Sequence, residues 1–226
     1  MLPTWPRKLK APPVRNVLSG SQVRTKYLHF PEGCTHFKKF DHYQVEVYQK
    51  ALEFTPIRLC AIDVGAHVGI FTLYMEKDFD KVVAFEPIAK NYLSLGINIR
   101  NEAVNPDRVS TRNVALSDKM GTVKLTHPTR NNSGTWMISE EGKSVINCMP
   151  LDIFSVKPNL MKLDIQGHEL QALKGAYNTI TKHKPTLIVE VWGVEDTREL
   201  TDYIDIVLQY KQVARISKDS IYISKE

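Results

Sequence analysis

Cysteine is scarce in this 226-residue chain. Cys34, Cys60 and Cys148 are odd in number and lack metal-ligand spacing. They suit a reducing compartment, read as core or incidental thiols, and give the expectation of a cytoplasmic protein. Long apolar runs are missing too. The longest stretch, Ile57 to Met75, is broken by Arg58, Asp63 and His67. A membrane-spanning helix needs about 20 nearly uncharged residues, so no span is expected. The first residues, MLPTWPRKLKAPP, carry prolines where a secretion signal needs an apolar helix, so no signal is expected. Glycine (11) and proline (12) are too few for a collagen-like or low-complexity chain. Neither G-x-G-x-x-G nor G-x-x-x-x-G-K-[ST] occurs, which counts against a dehydrogenase and a P-loop enzyme.

What is present is an ordinary globular composition, 42% apolar and 24% charged. At roughly 100–200 residues per domain, the length fits one large domain with an extension. The net charge of +5 is unevenly spread. Residues 1–50 hold nine Lys/Arg against three Asp/Glu, and the other residues hold 21 against 22. The basic excess therefore belongs to an N-terminal extension, taken as residues 1–56, ahead of a domain at 57–226. Such an arm can meet phosphates, anionic lipid or an acidic partner, or simply be a solvated surface.

Along the chain, residues 1–17 read as an extended arm, Val23–Phe30 as a short strand and Tyr43–Phe54 as a helix stopped before Pro56. From residue 57 strands and helices alternate. Strands are expected at Leu59–Val64, Lys81–Phe85, Arg108–Val114, Thr122–Thr126, Val145–Met149, Asn159–Leu163 and Thr186–Val191. Helices are expected at Ile70–Lys77, Ile88–Arg100, His168–Gly175 and Thr197–Tyr210. His127–Gly142 reads as a polar loop, and Gln212–Ile216 with Ser220–Ser224 as a closing hairpin. This alternation predicts an α/β fold. It would be a mostly parallel seven-stranded sheet with helices on both faces and an antiparallel C-terminal hairpin.

In such folds ligands bind beyond the carboxyl ends of the strands. The first strand runs into Asp63-Val64-Gly65-Ala66-His67-Val68-Gly69, where Gly65 and Gly69 permit a tight turn and a close ligand approach. Glu86 follows the second strand, about 20 residues on, where doubly wound folds place the acid that takes ribose hydroxyls. A carboxylate only accepts hydrogen bonds, so it suits a cis-diol and repels a 2′-phosphate. Loop and acid together point to a nucleoside ligand.

IDVGAHVGIFTLYM, AFEP, NVALSD, KLDIQGHELQALKGA and LIVEVW, in that order, resemble the FkbM-type methyltransferases. These are S-adenosylmethionine-dependent enzymes of the Rossmann-like class I fold. The resemblance covers roughly residues 57–192. It implies that Asp63, Gly65, Ala66, His67 and Gly69 line the methionine part of the cofactor. Glu86 would hold the ribose, Pro87 and Ile88 would flank the adenine, and Asn113 to Ala115 would edge it. Asp164 would face the methyl group. His67 stands where the family often has Asn, and His168 occupies a variable family position.

Methyl transfer to a hydroxyl needs an aligned acceptor and a group to take its proton. Asp164 is the first candidate for that work. His168, at a helix start that favours a neutral imidazole, is the second. Glu169 reads as a first-turn acid favouring the helix dipole. Asn131, Asn132, Ser133 and Trp136 in the polar loop, with Glu190 and Trp192, are candidates for the acceptor pocket. Asp164 and Glu190 could together hold a divalent ion through oxygen ligands; two acids far apart in sequence are weak evidence for that, so a metal is an open but not a favoured reading and no metal ligand is assigned.

The expected activity is an S-adenosylmethionine-dependent O-methyltransferase acting on a hydroxyl of a sugar, glycan or related small molecule. The alternatives are an RNA 2′-O-methyltransferase and a non-catalytic cofactor-binding scaffold. For the RNA reading, Lys38, Lys39, Asp164, Lys184 and Glu190 loosely follow a Lys/Asp/Lys/Glu pattern, and the basic segment would supply the contact.

Overall fold

The computed structural model describes residues 28–32, 34, 44–126, 133–138, 141–191 and 197–225. Its main sheet has seven strands. β1 (Cys60–Val64), β2 (Lys81–Phe85) and β3 (Val109–Arg112) are followed by β8 (Leu160–Leu163), β9 (Thr186–Glu190), β10 (Tyr210–Ile216) and β11 (Asp219–Ser224), in the order β10-β11-β9-β8-β1-β2-β3. β3, β2, β1, β8 and β9 run parallel, while β11 is antiparallel to both β9 and β10. The parallel centre explains the composition of β1, β8 and β9. All of their residues are buried, as expected for strands covered on both faces.

The two faces part the core by the period-2 rule. On one, Ala61, Val82, Leu160, Ile188 and Ile221 pack beneath α1 (Val45–Glu53) and α2 (Ile70–Asp78). Ala84 on β2 meets Leu95 and Ile99 of α3 (Ala89–Glu102). On the other, Ile62, Val64, Met161, Leu163, Leu187 and Val189 pack beneath α4 (Glu169–Lys174), α5 (Tyr177–His183) and α6 (Arg198–Asp202). α1 belongs to the core: Val47, Tyr48 and Ala51 are buried, and Tyr48 stacks on Tyr74 at 5.6 Å between ring centroids.

Several expectations need adjusting. The described part of the strand expected at Val23–Phe30, Leu28 to Phe30, contains no strand, and its first residues lie outside the described set. The third strand breaks at Asn113, and β4 (Ala115–Leu116) leaves for a second sheet with β5 (Gly121–Thr126), β6 (Met137–Ile138) and β7 (Ser144–Met149). β6 falls inside the expected polar loop. It exists because its two residues pair with Leu125 and Thr126 of β5, a long-range contact that local polarity does not reveal. The last helix also ends early: α6 passes into a wider turn at Tyr203–Val207, and Tyr210 already begins β10.

Candidate active site

A cavity of about 280 Å³ lies beyond the carboxyl ends of β1, β2, β8 and β9, with Leu125 and Ile146 of the second sheet on its wall. The sheet register aligns its polar residues. Val64 pairs with Phe85 on one side and with Leu163 on the other, Leu163 pairs with Val189, and Glu190 with Asp219. One residue further on, Glu86, Gly65, Asp164 and Glu190 stand level across four strands. At Gly65 an added Cβ would lie 2.0 Å from the Asp164 carbonyl oxygen, and φ is +79°. Glycine is required there by the neighbouring strand.

At one end of the cavity, the buried Glu86 carboxyl fastens the loop after β1. Its Oε2 accepts the His67 N–H (2.8 Å) and its Oε1 the Ile88 N–H (2.9 Å). Burial raises its pKa to about 7, against the lowering effect of those bonds. Asn91 Nδ2 donates to Glu86 Oε1 (3.4 Å) and to the Ser133 carbonyl (2.9 Å). His67, at φ 52°, is 2.6 Å from Ser133 Oγ through Nε2. Burial lowers the His67 pKa to about 4, which leaves the imidazole neutral.

At the other end, charge dominates. Lys162 is 3% exposed, with Nζ 3.3 Å from Asp164 Oδ2, 3.9 Å from Asp63 Oδ1 and 5.0 Å above the Phe71 ring. Gln166 Nε2 donates to Asp164 Oδ1 (3.0 Å) and Glu190 Oε2 (2.8 Å), joining two carboxyls from neighbouring strands. Burial pushes the Asp164 carboxyl up, but Lys162 and the hydrogen bonds with Glu190 and Gln166 outweigh it and hold the group below its ordinary value. The more distant Asp63 ends raised, because burial exceeds the attraction of Lys162.

The loop after β8 is braced from below. The buried Glu169 accepts the N–H of Ile165 through Oε1 (2.9 Å) and of Gly167 through Oε2 (3.0 Å), fixing two left-handed residues, Gln166 (φ 56°) and Gly167 (φ 96°). Burial raises its pKa to about 7. Asp164, Gln166 and His168 all line the cavity from this loop. His168 Nε2 is 2.9 Å from Ser117 Oγ, which donates to Asp118 Oδ1 at 3.1 Å. The serine's one hydrogen goes to the carboxylate, so Nε2 carries the imidazole proton and Nδ1 the lone pair. Burial lowers the His168 pKa from 6.5.

Residues 63–212 match the model of the methyltransferase FkbM domain. The chain belongs to the FkbM methyltransferase family. A hexuronic acid methyltransferase, AglP, of Haloferax volcanii is 25% identical over 166 residues, covering 71% of this chain and 67% of the relative. The methyltransferase sdnD of Sordaria araneosa is 26% identical over 171 residues, covering 58% and 65%. The crystal structure of an FkbM methyltransferase from Methylobacillus flagellatus superposes with a TM-score of 0.57 at 23% identity, over 74% of this chain and 44% of that one. The chain thus spans about two thirds of these curated relatives and under half of the solved structure. The FkbM match takes in every cavity-lining residue except Gln44 and Lys218.

Against this family frame, the cavity brings together most of the expected residues: Gly65, Ala66, His67, Glu86, Pro87, Ile88, Ala115, Ser133, Trp136, Asp164, His168 and Glu190. Three do not line it. Asp63 is fully buried beneath, where Thr72 Oγ1 donates to its Oδ2 at 2.6 Å. Gly69 starts α2 at φ +95°, and an added Cβ would meet Leu95 Cδ1 at 2.7 Å. The Asn113 amide donates to the carbonyls of Glu86 (2.8 Å) and Pro87 (2.9 Å), tying down a turn. Asn131, Asn132, Trp192, Lys38 and Lys39 lie outside the described residues. Ser133, expected beside the acceptor, lines the cavity at its Glu86 end. Lys184 precedes β9 while Glu190 ends it, about 20 Å along the strand, so it does not join Asp164 and Glu190. Among the described residues no group of three or more His, Cys, Asp or Glu is arranged to hold a metal, and no helix is long and apolar enough to cross a membrane.

Sequence reasoning missed Lys162, Gln166 and Asn91, and gave Glu169 only a dipole role. Lys162 was within reach: it stands two residues before Asp164 on a strand, hence on the same face.

Proposed function

We propose that this chain is an S-adenosylmethionine-dependent O-methyltransferase whose acceptor is a hydroxyl of a sugar, glycan or related small molecule. The observation that carries the reading is the two-ended cavity. One end offers hydrogen-bond acceptors, Glu86 and the Asn91 carboxamide, beside the apolar Ile88, Val114 and Ala115, which suits a ribose and a flat base. The other offers carboxyls, which suit a cationic sulfonium and the donors of a hydroxylated acceptor. The residues present therefore fit the cofactor that the family implies. Glu86, Ala66, His67, Pro87, Ile88 and Ala115 would hold its nucleoside side, and Gly65 and Asp164 its methionine side.

Bound there, S-adenosylmethionine supplies a methyl group already activated for in-line displacement. The protein's share is alignment and proton uptake. Asp164, held ionised by Lys162, is a weak base and a fixed hydrogen-bond acceptor, suited to orienting the hydroxyl. His168 is neutral at pH 7, and its Nδ1 lone pair suits it to take the proton. Gln166 fixes Glu190 beside Asp164, which gives adjacent hydroxyls a second acceptor. The hexuronic acid named for the Haloferax relative supports a carbohydrate acceptor.

Calorimetric titration with S-adenosylmethionine, S-adenosylhomocysteine and NAD tests the first half. Micromolar binding of the first two and none of NAD is expected, and NAD binding alone would overturn it. A glycan and glycoside panel, read by S-adenosylhomocysteine release, tests the second. His168→Asn should lower turnover on the order of 100-fold with the Kd for S-adenosylhomocysteine within about threefold of wild type. Full activity would remove His168 from the reaction.

A further inference from the structure

Four acids stand at the carboxyl-rich end of the cavity. Asp63 on β1, Asp164 just after β8, Glu190 on β9 and Asp219 on β11 come from four strands that are neighbours in the sheet. Asp63, Glu190 and Asp219 are buried, and Asp164 is half-buried. Among the described residues Lys162 is the one Lys or Arg that is buried, and it lies against Asp63 and Asp164. One buried ammonium does not keep four such carboxyls ionised, because like charges at close range hold protons back.

The position of one proton follows from geometry. Asp164 and Glu190 stand level on adjacent strands, one residue beyond the paired Leu163 and Val189. Gln166 Nε2 donates to Asp164 Oδ1 at 3.0 Å and to Glu190 Oε2 at 2.8 Å, so both carboxyls close on a single nitrogen. The two carboxyls are also hydrogen-bonded to each other. Two carboxylates are both acceptors, so that bond requires a proton. Lys162 Nζ, 3.3 Å from Asp164 Oδ2, favours the ionised form of Asp164. The proton therefore belongs to Glu190.

We infer that Glu190 is a positioning residue that stays protonated at neutral pH and donates its hydrogen to Asp164, so that this pair presents one carboxylate rather than two. Asp164 is then held from three sides, by Lys162, Gln166 and Glu190. The other charged groups around Glu190 are Asp63, Asp219, Lys218 before β11 and Arg215 on β10, whose Nη2 donates to the Val191 carbonyl at 3.4 Å. Lys218 and Arg215 are exposed and screened by water, and the His67 and His168 rings are neutral at pH 7. The positioning role rests on the methyltransferase reading. The shared proton does not.

The test has two arms. In the first, the Asp and Glu carboxyls of the whole chain are isotope-labelled, assigned through the backbone and titrated by NMR. Asp164 should be ionised and Glu190 still protonated at pH 7. A Glu190 carboxyl titrating near the ordinary value of about 4.3 would overturn the inference and leave the cofactor reading standing. The second arm reads charge at the methyl end. Dissociation constants for S-adenosylmethionine, a sulfonium cation, and S-adenosylhomocysteine, a neutral thioether, are measured by calorimetry at pH 7 on wild type and Glu190→Gln. Glutamine keeps a donor for Asp164 and carries no charge. The ratio of the two constants should stay within about threefold of wild type, whereas a larger loss of preference for the cation would show a charged Glu190 and overturn the inference. If Glu190→Gln fails to fold, the titration of wild type decides. Failure of wild type to bind either ligand would bring down the cofactor reading, with the proton still decided by the first arm.

Discussion

The two ends of the cavity are built in opposite ways. At the Glu86 end one carboxyl is satisfied by uncharged donors, two backbone N–H groups and an amide, drawn from the loop after β1 and the start of α3. At the Asp164 end the carboxyls of Asp63 on β1 and of Asp164 just after β8 gather around one buried ammonium, with Asp219 directly opposite Glu190 across the sheet. Neutral hydrogen bonds can be lost one at a time. A buried charge cluster stands or falls on its cation, because each remaining carboxyl must then be desolvated without a partner.

Breaking that cation should give the largest effect. Lys162→Met leaves the buried Asp63 and the half-buried Asp164 without their ammonium, and a loss of about 3–5 kcal/mol in urea unfolding is expected. Lys162→Met combined with Asp63→Asn should recover part of it, and no recovery would show that Asp63 does not depend on Lys162. Glu86→Ala comes next. It strands the N–H groups of His67 and Ile88 and should weaken S-adenosylhomocysteine binding on the order of 100-fold, read by calorimetry, with a smaller loss of stability. Glu169→Gln should be milder and fall on the other end. One of its two backbone acceptors is lost, so acceptor turnover should drop about tenfold while cofactor affinity stays within about threefold.

The smallest effect is a slope. Burial raises Glu86 and Glu169 from 4.5 to about 7, and Asp219 from 3.8 to about 6. The folded chain then holds these protons more tightly than the unfolded chain. Stability should fall as pH rises from about 4 to 7 and level off above. Asp164 opposes this from the acid side, since its lowered value gives stability that is lost as pH falls below the ordinary range, and His67, lowered by burial from 6.5 to about 4, opposes it between those two values, which reduces the slope without reversing it. Urea midpoints across pH 4.5–8 would check the slope, which Glu86→Gln and Glu169→Gln should flatten.

The same contrast explains what could be read from the sequence. β1, β2, β8 and β9 announce themselves as short apolar runs, and Glu86 follows its strand at a recognisable distance, because the contacts that define them are local or repeat with period two. The second sheet was only half visible. Its β5 and β7 alternate along the chain, whereas the two-residue β6 exists only through its partner. Lys162 and Gln166 gain their meaning from Asp63 and Glu190, which lie 99 and 24 residues away, and no local pattern marks that. Glu169 shows the limit within a single turn: its spacing is that of an ordinary first-turn acid, and its brace depends on the left-handed turn before it.

The loop after β1 is covered by a short segment whose Phe30 ring lies 6.2 Å from that of His67. Leu28 to Glu32 is held to α3 through His29, whose N–H donates to Asn98 Oδ1 at 2.6 Å and whose carbonyl accepts from Asn98 Nδ2 at 2.9 Å. The second covering segment is met at Cys34, to whose Sγ Ser133 Oγ donates at 3.2 Å, across 99 residues of chain. These fastenings use side chains and contribute no rung to either sheet. A cover attached in this way can lift as a local opening, with the strands beneath it unchanged. Hydrogen exchange should then find the amides of His29 and Ser133 far less protected than those of β1, so ligand traffic through the Glu86 end need not disturb the core that supports it.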